Sequence, residues 1–369
     1  MTATLRIVLD RSTSSADSDL AAAAVELARG LVATAPADCE VEAIVPSGES
    51  DPLEAVPGLA SVTRLALPRR ELVTAWQVGM PTGVGGGLIH APSLAAPLVR
   101  HDRVNDHDQT VVTLWDLDAW ERSEELSRAH VLSQKALLRR AKKHADAVVV
   151  PTHAVAARLA SWGGFGDRVR VIPGAPPESF RIPADEIGRR RSLGIPEGFV
   201  LLSGSSGASS NLSAGFGAAV RAHAGVPVVV VDAPEGDEPA IAELAAAAGI
   251  GEGRVHVRPH LDPYDRAAVL GGAVAYVATS RSSAFPWRLV EALRLGVPVV
   301  AADSDVHREV IAEGGVLAAP DADALGDALA SALGSTAAAE RLAVLAGDRG
   351  RAFSWAGAAE RVWILHADL

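Results

Sequence analysis

A single cysteine, Cys39, occurs in the 369 residues. That excludes a disulfide framework and any metal site built on several thiolates, and it suits a reducing cytoplasm. Aromatic residues make up only 4% of the chain against 49% apolar residues overall, so its cores have to be built from Ala, Val and Leu. Such cores favour helices layered on sheets over a β-sandwich. Positive charge is scarce too: 34 basic against 45 acidic residues leave a formal charge of −11, which argues against an extended nucleic-acid footprint. Long hydrophobic runs are missing. "VPVVVV" at 226–231 is strand-sized, far below the roughly 20 residues that span a bilayer. The chain runs straight into "TLRIVLD" with no basic segment and long apolar stretch before it, so no signal peptide is expected. Also absent are a repeat of short fixed period, a G-x-S-x-G turn, and any His, Cys or carboxylate cluster at metal-ligand spacing. Gly204, Gly207, Gly215 and Gly217 do not compose G-x-G-x-x-G, which disfavours a nicotinamide enzyme.

What is present is a recurrent pattern. Nine short apolar runs stand at 5–9, 110–115, 147–151, 169–173, 199–204, 226–232, 255–257, 273–279 and 297–303. They lack strict alternation, as strands buried on both faces do. Between most of them lie Ala-rich stretches of helical period such as "SDLAAAAVELARGLVATA" and "PAIAELAAAAGI". Strand and helix alternating in this way predict α/β architecture with doubly wound parallel sheets. The length accommodates two cores, and the Pro-rich stretch "VIPGAPPESFRIPADE" at 171–186 interrupts the pattern between them. The expected division is an N-terminal Rossmann-like domain over 1–172, a second over 173–350, and a closing helix over 351–369. Ligands of such sheets collect at the carboxyl ends of strands, where helix N-termini present free N–H groups.

The stretch "SAFPWRLVEALRLGVPVVAADSDVHREVIAEGGVLAAPDADALGDAL", from Ser283, places a carboxylate, Glu291, inside a short helix bounded by Pro286 and Gly296. Ser282 or Ser283 can cap that helix. This stretch resembles the C-terminal signature of the family 4 glycosyltransferases, retaining nucleotide-sugar enzymes of the GT-B fold. Gly296, Pro298, Asp303 and Glu309-Val310 fall on the signature's positions. "VRPHLDPYDRAAVLGGAVAYVATS", "DAVVVPTHAVAARLA" with "DRVRVIPGAP", and "FSWAGAAERVWILH" resemble flanking parts of the family in the same order. The resemblance implies two facing Rossmann-like domains, with a C-terminal helix that returns to the first. It assigns Glu291 to the ribose hydroxyls of the donor nucleotide, since an ionised acceptor facing a diol makes short bonds. The alternative is an internal ion pair of Glu291 with Arg288 or Arg294. Gly204, Ser205, Ser206, Arg281, Ser283, Phe285, Arg288 and Leu289 fall on the remaining donor-site positions, the 204–206 turn and Arg288 toward the diphosphate. The 303–307 loop falls near the sugar.

The sequence departs from that pattern at charged positions. Ser283 stands where the first Glu of the family's Glu-x7-Glu belongs. Ser205 stands for the Arg, and Ser210 or Asn211 for the Lys, that clamp the diphosphate, and no basic residue occurs from Phe199 to Val220. The first loop, "DRSTSSADSD", has no glycine, and Trp115-Asp116 replaces a His-Asp pair. Deleting a donor aimed at developing negative charge costs about 3 to 4 kcal/mol. Arg281, Arg288, Arg11 or the N–H groups of the 204–211 turn would have to compensate; that turn reads equally as a flexible surface loop.

Two candidates concern the acceptor side. His90, after a short apolar run, is a proton carrier or an acceptor contact or, alternatively, a hydrogen-bonded structural residue. Asp116, at the carboxyl end of its strand, is a ligand residue or a brace for the loop. "RRAKKHAD" at 139–146 is a membrane-approach face or a solvated helix face. The glycine run "GVGGGLIH", 83–90, is expected as a hinge or mobile loop near the cleft. Taken with the resemblance, the sequence implies transfer of a sugar from a nucleotide-diphosphate donor, without metal or other cofactor, to a glycan or lipid-linked acceptor in cell-surface glycan or glycoconjugate synthesis. It implies a cytoplasmic location, at most peripheral to the inner face of the membrane, with a partner glycosyltransferase. The rival reading is a catalytically inactive, glycosyltransferase-like binding or partner subunit.

Overall fold

The computed structural model describes residues 3–10, 18–49, 51–102, 105, 107–223, 225–281 and 283–369. Arg11 and Ser282 lie outside them. The chain forms two compact units, Met1–Glu178 with Ser354–Leu369, and Ser179–Phe353.

The first unit holds seven parallel strands: β1 Ala3–Val8, β2 Cys39–Val45, β3 Ser61–Arg64, β4 Leu88–Ala91, β5 Gln109–Thr113, β6 Ala147–Val150 and β7 Val169–Val171. Their order is β3-β2-β1-β4-β5-β6-β7. The second holds six parallel strands: β8 Phe199–Ser203, β9 Val228–Val231, β10 Val255–Val257, β11 Ala273–Ala278, β12 Val299–Ala302 and β13 Val316–Ala318. Their order is β10-β9-β8-β11-β12-β13. In each sheet the winding reverses once, between β1 and β4 and between β8 and β11, which creates a switch point at the carboxyl edge.

All nine expected runs are strands. The four that the runs did not announce have identifiable reasons. β2, "CEVEAIV", carries Glu40 and Glu42, which break its apolar run. β3 is a short edge strand with exposed ends. β4 and β13 have four and three residues, too few to show a period.

Helix-on-sheet layers cover both faces with small residues. In the second unit Val200, Leu202, Phe216, Val228, Val230, Val277, Leu325 and Leu329 form one buried cluster. The helix Leu212–Ala222 lies so close to the sheet that a Cβ on Gly215 would stand 2.8 Å from Thr279 Cγ2 and 2.9 Å from Leu202 Cδ2. In the first unit the closing helix Trp355–Asp368, capped by Ser354, packs on the helix Ser18–Ala33. Gly30 permits that approach, because a Cβ there would meet Trp355 O at 2.8 Å. Trp363 donates its indole N–H to Leu31 O at 3.1 Å. The closing helix is therefore an integral layer of the first unit. Among the described residues no helix is long and apolar enough to cross a membrane.

Candidate functional site

At the switch point of the second sheet, the turn that leaves β8 and the loop that leaves β11 are bonded together. Thr279 Oγ1 donates to Ser210 O at 2.6 Å, and the N–H of Arg281 donates to Ser209 O at 3.2 Å. Asn211, in the left-handed region, donates its side-chain amide to Thr279 O and to Pro320 O. The turn itself is ordered by side chains. Gly204 has φ +127°, and a Cβ there would lie 2.7 Å from Ser210 Oγ. Ser205 N–H donates to Ser210 Oγ at 3.0 Å, Gly207 N–H to Ser205 Oγ at 3.3 Å, and Ser206 N–H to Asp237 Oδ2 at 2.7 Å. The flexible-loop reading of this turn is thus corrected: its serines replace solvent as hydrogen-bond partners. Arg281 is exposed beside it.

The helix after the β11 loop is Trp287–Arg294, two residues shorter than the Pro286-to-Gly296 spacing suggests, with Gly296 at φ +67° past its end. Glu291 sits on its inner face, 3% exposed. Arg266, from the helix Pro263–Gly272, donates Nη2 to Glu291 Oε1 at 2.9 Å and Nε to both oxygens at 3.0 and 3.1 Å. Arg288, one turn before it, donates Nη1 to Oε2 at 2.7 Å and Nε to Asp232 Oδ2 at 2.6 Å. An open carboxylate was the expectation. The structure holds instead a buried chain of charges, in which Arg288 is a partner as the alternative reading had it and Arg294 is exposed. Two guanidiniums satisfy most of the carboxylate's four acceptor sites.

The chain of charges continues to the sheet edge. Asp232, just past β9 and in the left-handed region, accepts from His260 Nδ1 at 3.1 Å. Burial alone would raise the Asp232 carboxyl, but Arg288 and His260 hold it well below the usual carboxylate range. The remaining nitrogen of His260 faces Arg266 Nη1 at 3.4 Å. Arg266 also donates to Leu261 O and lies over the Phe180 ring, 5.6 Å from its centroid. With two guanidiniums against two carboxylates, the cluster is close to neutral, so Arg288 brings no uncompensated cation to this edge. Sequence reasoning missed Asp232, His260, Arg266 and Asp237. Asp232 alone left a trace, as an acid at a strand's carboxyl end.

The other expected donor-site residues divide. Ser283 is half-buried at the loop. Phe285 is a core ring, edge-on to Trp287 at 4.6 Å and to Phe353 at 6.4 Å, and Leu289 is fully buried, so neither side chain is presented to a ligand. Ser304 caps the helix Asp305–Ile311 by accepting from His307 N–H, and His307 Nδ1 bonds Ala302 O at 2.7 Å. Burial lowers the His307 pKa and keeps the ring neutral.

In the first unit, Asp116 follows β5, and its Oδ1 accepts from Asp118 N–H at 3.1 Å. Burial, and then the neighbouring Asp118, raise its pKa. It therefore braces the loop. His90 is 1% exposed and lies edge-on to His366 of the closing helix at 5.7 Å. It is corrected from a presented proton carrier to a buried histidine, kept neutral by burial and by His366. The glycine run precedes β4 at its amino end and lines a recess of about 360 Å³ with His101, Asp108 and Thr110. It lies at the edge opposite the carboxyl ends of β1 and β4. The switch point there carries Asp10, 2% exposed, with Ser93 Oγ at 3.4 Å and Arg69 Nε at 3.4 Å.

Two parallel Rossmann-like units with a closing helix in the first are the GT-B fold. The chain matches sucrose-phosphate synthase from Thermosynechococcus elongatus at a TM-score of 0.70 and 21% identity, over 99% of this chain and 98% of that one. It matches Alr3699/HepE from Anabaena, solved in complex with UDP and glucose, at 0.72 and 17% over the whole of both chains. WaaG, a glycosyltransferase involved in lipopolysaccharide biosynthesis, matches at 0.59 and 13%, over 97% and 98%. Residues 217–346 match the family model described as Glycosyl transferases group 1. That span contains Glu291 and all its charged partners, and begins just after the 204–211 turn. No curated protein matches the chain by sequence.

Proposed function

We propose that the protein is a nucleotide-sugar-dependent glycosyltransferase that resembles family 4 and transfers with retention at the anomeric carbon. The observation that carries the reading is the match of residues 217–346, which include Glu291 and its charged partners, to the Glycosyl transferases group 1 family model. A fold shared with HepE, a protein solved with UDP and glucose, supports a nucleoside diphosphate sugar as donor. In this reading the 204–207 turn and exposed Arg281 meet the diphosphate. Glu291 serves the ribose through the acceptor capacity its two guanidiniums leave, and the 303–307 loop borders the sugar. Asp116, half-buried after β5, is the acceptor-side candidate favoured over the fully buried His90. The acceptor is a glycan or lipid-linked sugar, the site of action the cytoplasm or the inner membrane face, and no metal is required. The sugar departs from a diphosphate whose charge is met by N–H and hydroxyl dipoles more than by cations.

A second reading, a binding or partner subunit without turnover, is favoured by one specific observation: the acids Asp232 and Glu291 neutralise Arg288, and Ser205 replaces the cation in the turn. Incubation with UDP-, GDP- and ADP-sugars separates the two. Release of a nucleoside diphosphate supports transfer or donor hydrolysis; a thermal shift with no release supports the subunit; neither response with any donor overturns both.

A further inference from the structure

The turn after β8 already holds an anion of the protein's own. Asp237, in the loop that follows β9, accepts from Ser206 N–H at 2.7 Å and from Ser206 Oγ at 2.5 Å, one donor to each carboxylate oxygen. Two convergent donors on a carboxylate reproduce the geometry by which such turns hold a phosphate oxygen pair. We infer that Asp237 is an intramolecular competitor for the anion seat of the 204–207 turn, displaced when a nucleoside diphosphate binds; this rests on the donor reading given above.

Three features of the turn argue for competition rather than mere bracing. First, the carboxylate is held at the ligand edge and at the switch point, where the crevice of a doubly wound sheet receives its ligand. Second, the segment contributes no cation from Phe199 to Val220, so the seat's donors are dipoles, and a single negative charge nearby outweighs them at short range. Third, the N–H groups beside it in the turn meet neutral partners, Gly204 the carbonyl of Val231, Ser205 the hydroxyl of Ser210 and Gly207 that of Ser205, so the Ser206 donors are those whose partner is charged. Asp237 is half-buried at the start of the helix Glu238–Ala247 and does not cap it through its side chain. It can therefore rotate away without unravelling that helix. Once it does, Ser206 N–H and Oγ turn to the ligand, and exposed Arg281, held to Ser209 by its backbone, supplies the neighbouring positive charge. The consequence is a weak hold on free nucleoside diphosphate, because the seat reverts to its internal acid when the product leaves.

The test is a calorimetric titration of UDP, GDP and ADP, each beside its parent nucleoside, into the wild-type full chain, Asp237→Asn and Asp237→Ser. Asn keeps an acceptor for Ser206 without the charge, and circular dichroism checks that both variants fold. The expected result is that the diphosphate the wild type binds is held about tenfold or more tightly by both variants, while the affinity for its nucleoside is unchanged. Wild-type binding that the variants leave equal or weaken overturns the inference and leaves the donor reading standing. A gain that appears equally with the bare nucleoside also overturns it, since it would mark a structural change. No binding by any of the three proteins removes the donor reading and the inference with it.

Discussion

Acidification should loosen the first unit through His366. The imidazole is 5% exposed; its Nδ1 meets Gln109 Oε1 at 2.9 Å, and its Nε2 finds no partner among the described residues. A proton taken up on Nε2 would sit in an apolar seam beside His90. Burial accordingly lowers the His366 pKa to about 4, against about 6.5 in an unfolded chain. Between those values the unfolded state binds more protons than the folded one, so stability rises with pH across that window. It is complete above the unfolded value and drains away as pH falls toward the folded one. The full effect is on the order of 3 kcal/mol, most of which is lost between pH 7.5 and 4.5. His90, also depressed by burial, acts in the same direction. Of the seven tryptophans, six belong to the first unit and only Trp287 to the second, so fluorescence-detected urea unfolding reports mainly on the relevant unit. His366→Gln preserves a polar contact without the titration. Wild type should lose roughly 2 to 3 kcal/mol more than the variant over that pH interval. Parallel curves for the two proteins would refute the reasoning.

Two further outcomes follow from the packing. Glu291→Gln leaves Arg266 with a neutral partner in a buried site and should cost about 3 kcal/mol by denaturant unfolding, whereas pairing Arg266→Met with Glu291→Leu should recover most of it; a single-variant loss below about 1 kcal/mol would show the carboxylate to be dispensable to the fold. Gly30→Val drives a side chain into Trp355 O and should cost about 2 kcal/mol, with faster amide exchange confined to 354–369 and its packing partners; unchanged exchange there would contradict the close helix contact.

Much of the architecture could be read from short-range pattern. Nine apolar runs became strands because a strand buried on both faces needs little beyond β-branched and small residues in sequence. The helix after Pro286 was legible for a similar local reason: Gly296 supplies the left-handed backbone that ends it. β2 escaped because Glu40 and Glu42 interrupt it; Glu42 in fact pairs with Arg6 and Thr63 on neighbouring strands. Glu291 was conspicuous in sequence as a charge in an apolar helix. Its principal partner, Arg266, is 25 residues away on another helix, and no spacing rule connects them.

The linear chain by itself determined the class of layers, the two units' worth of parallel strands and the placing of a carboxylate within an apolar helix, because those depend on periodicity and on residues adjacent in sequence. Tertiary structure alone decided the charge state of the ligand edge. Whether Glu291, Arg288, Asp232 and Asp237 face a ligand or each other depends on which helices and loops converge, since an ionic group's environment is set by distance in space and by the water that packing removes.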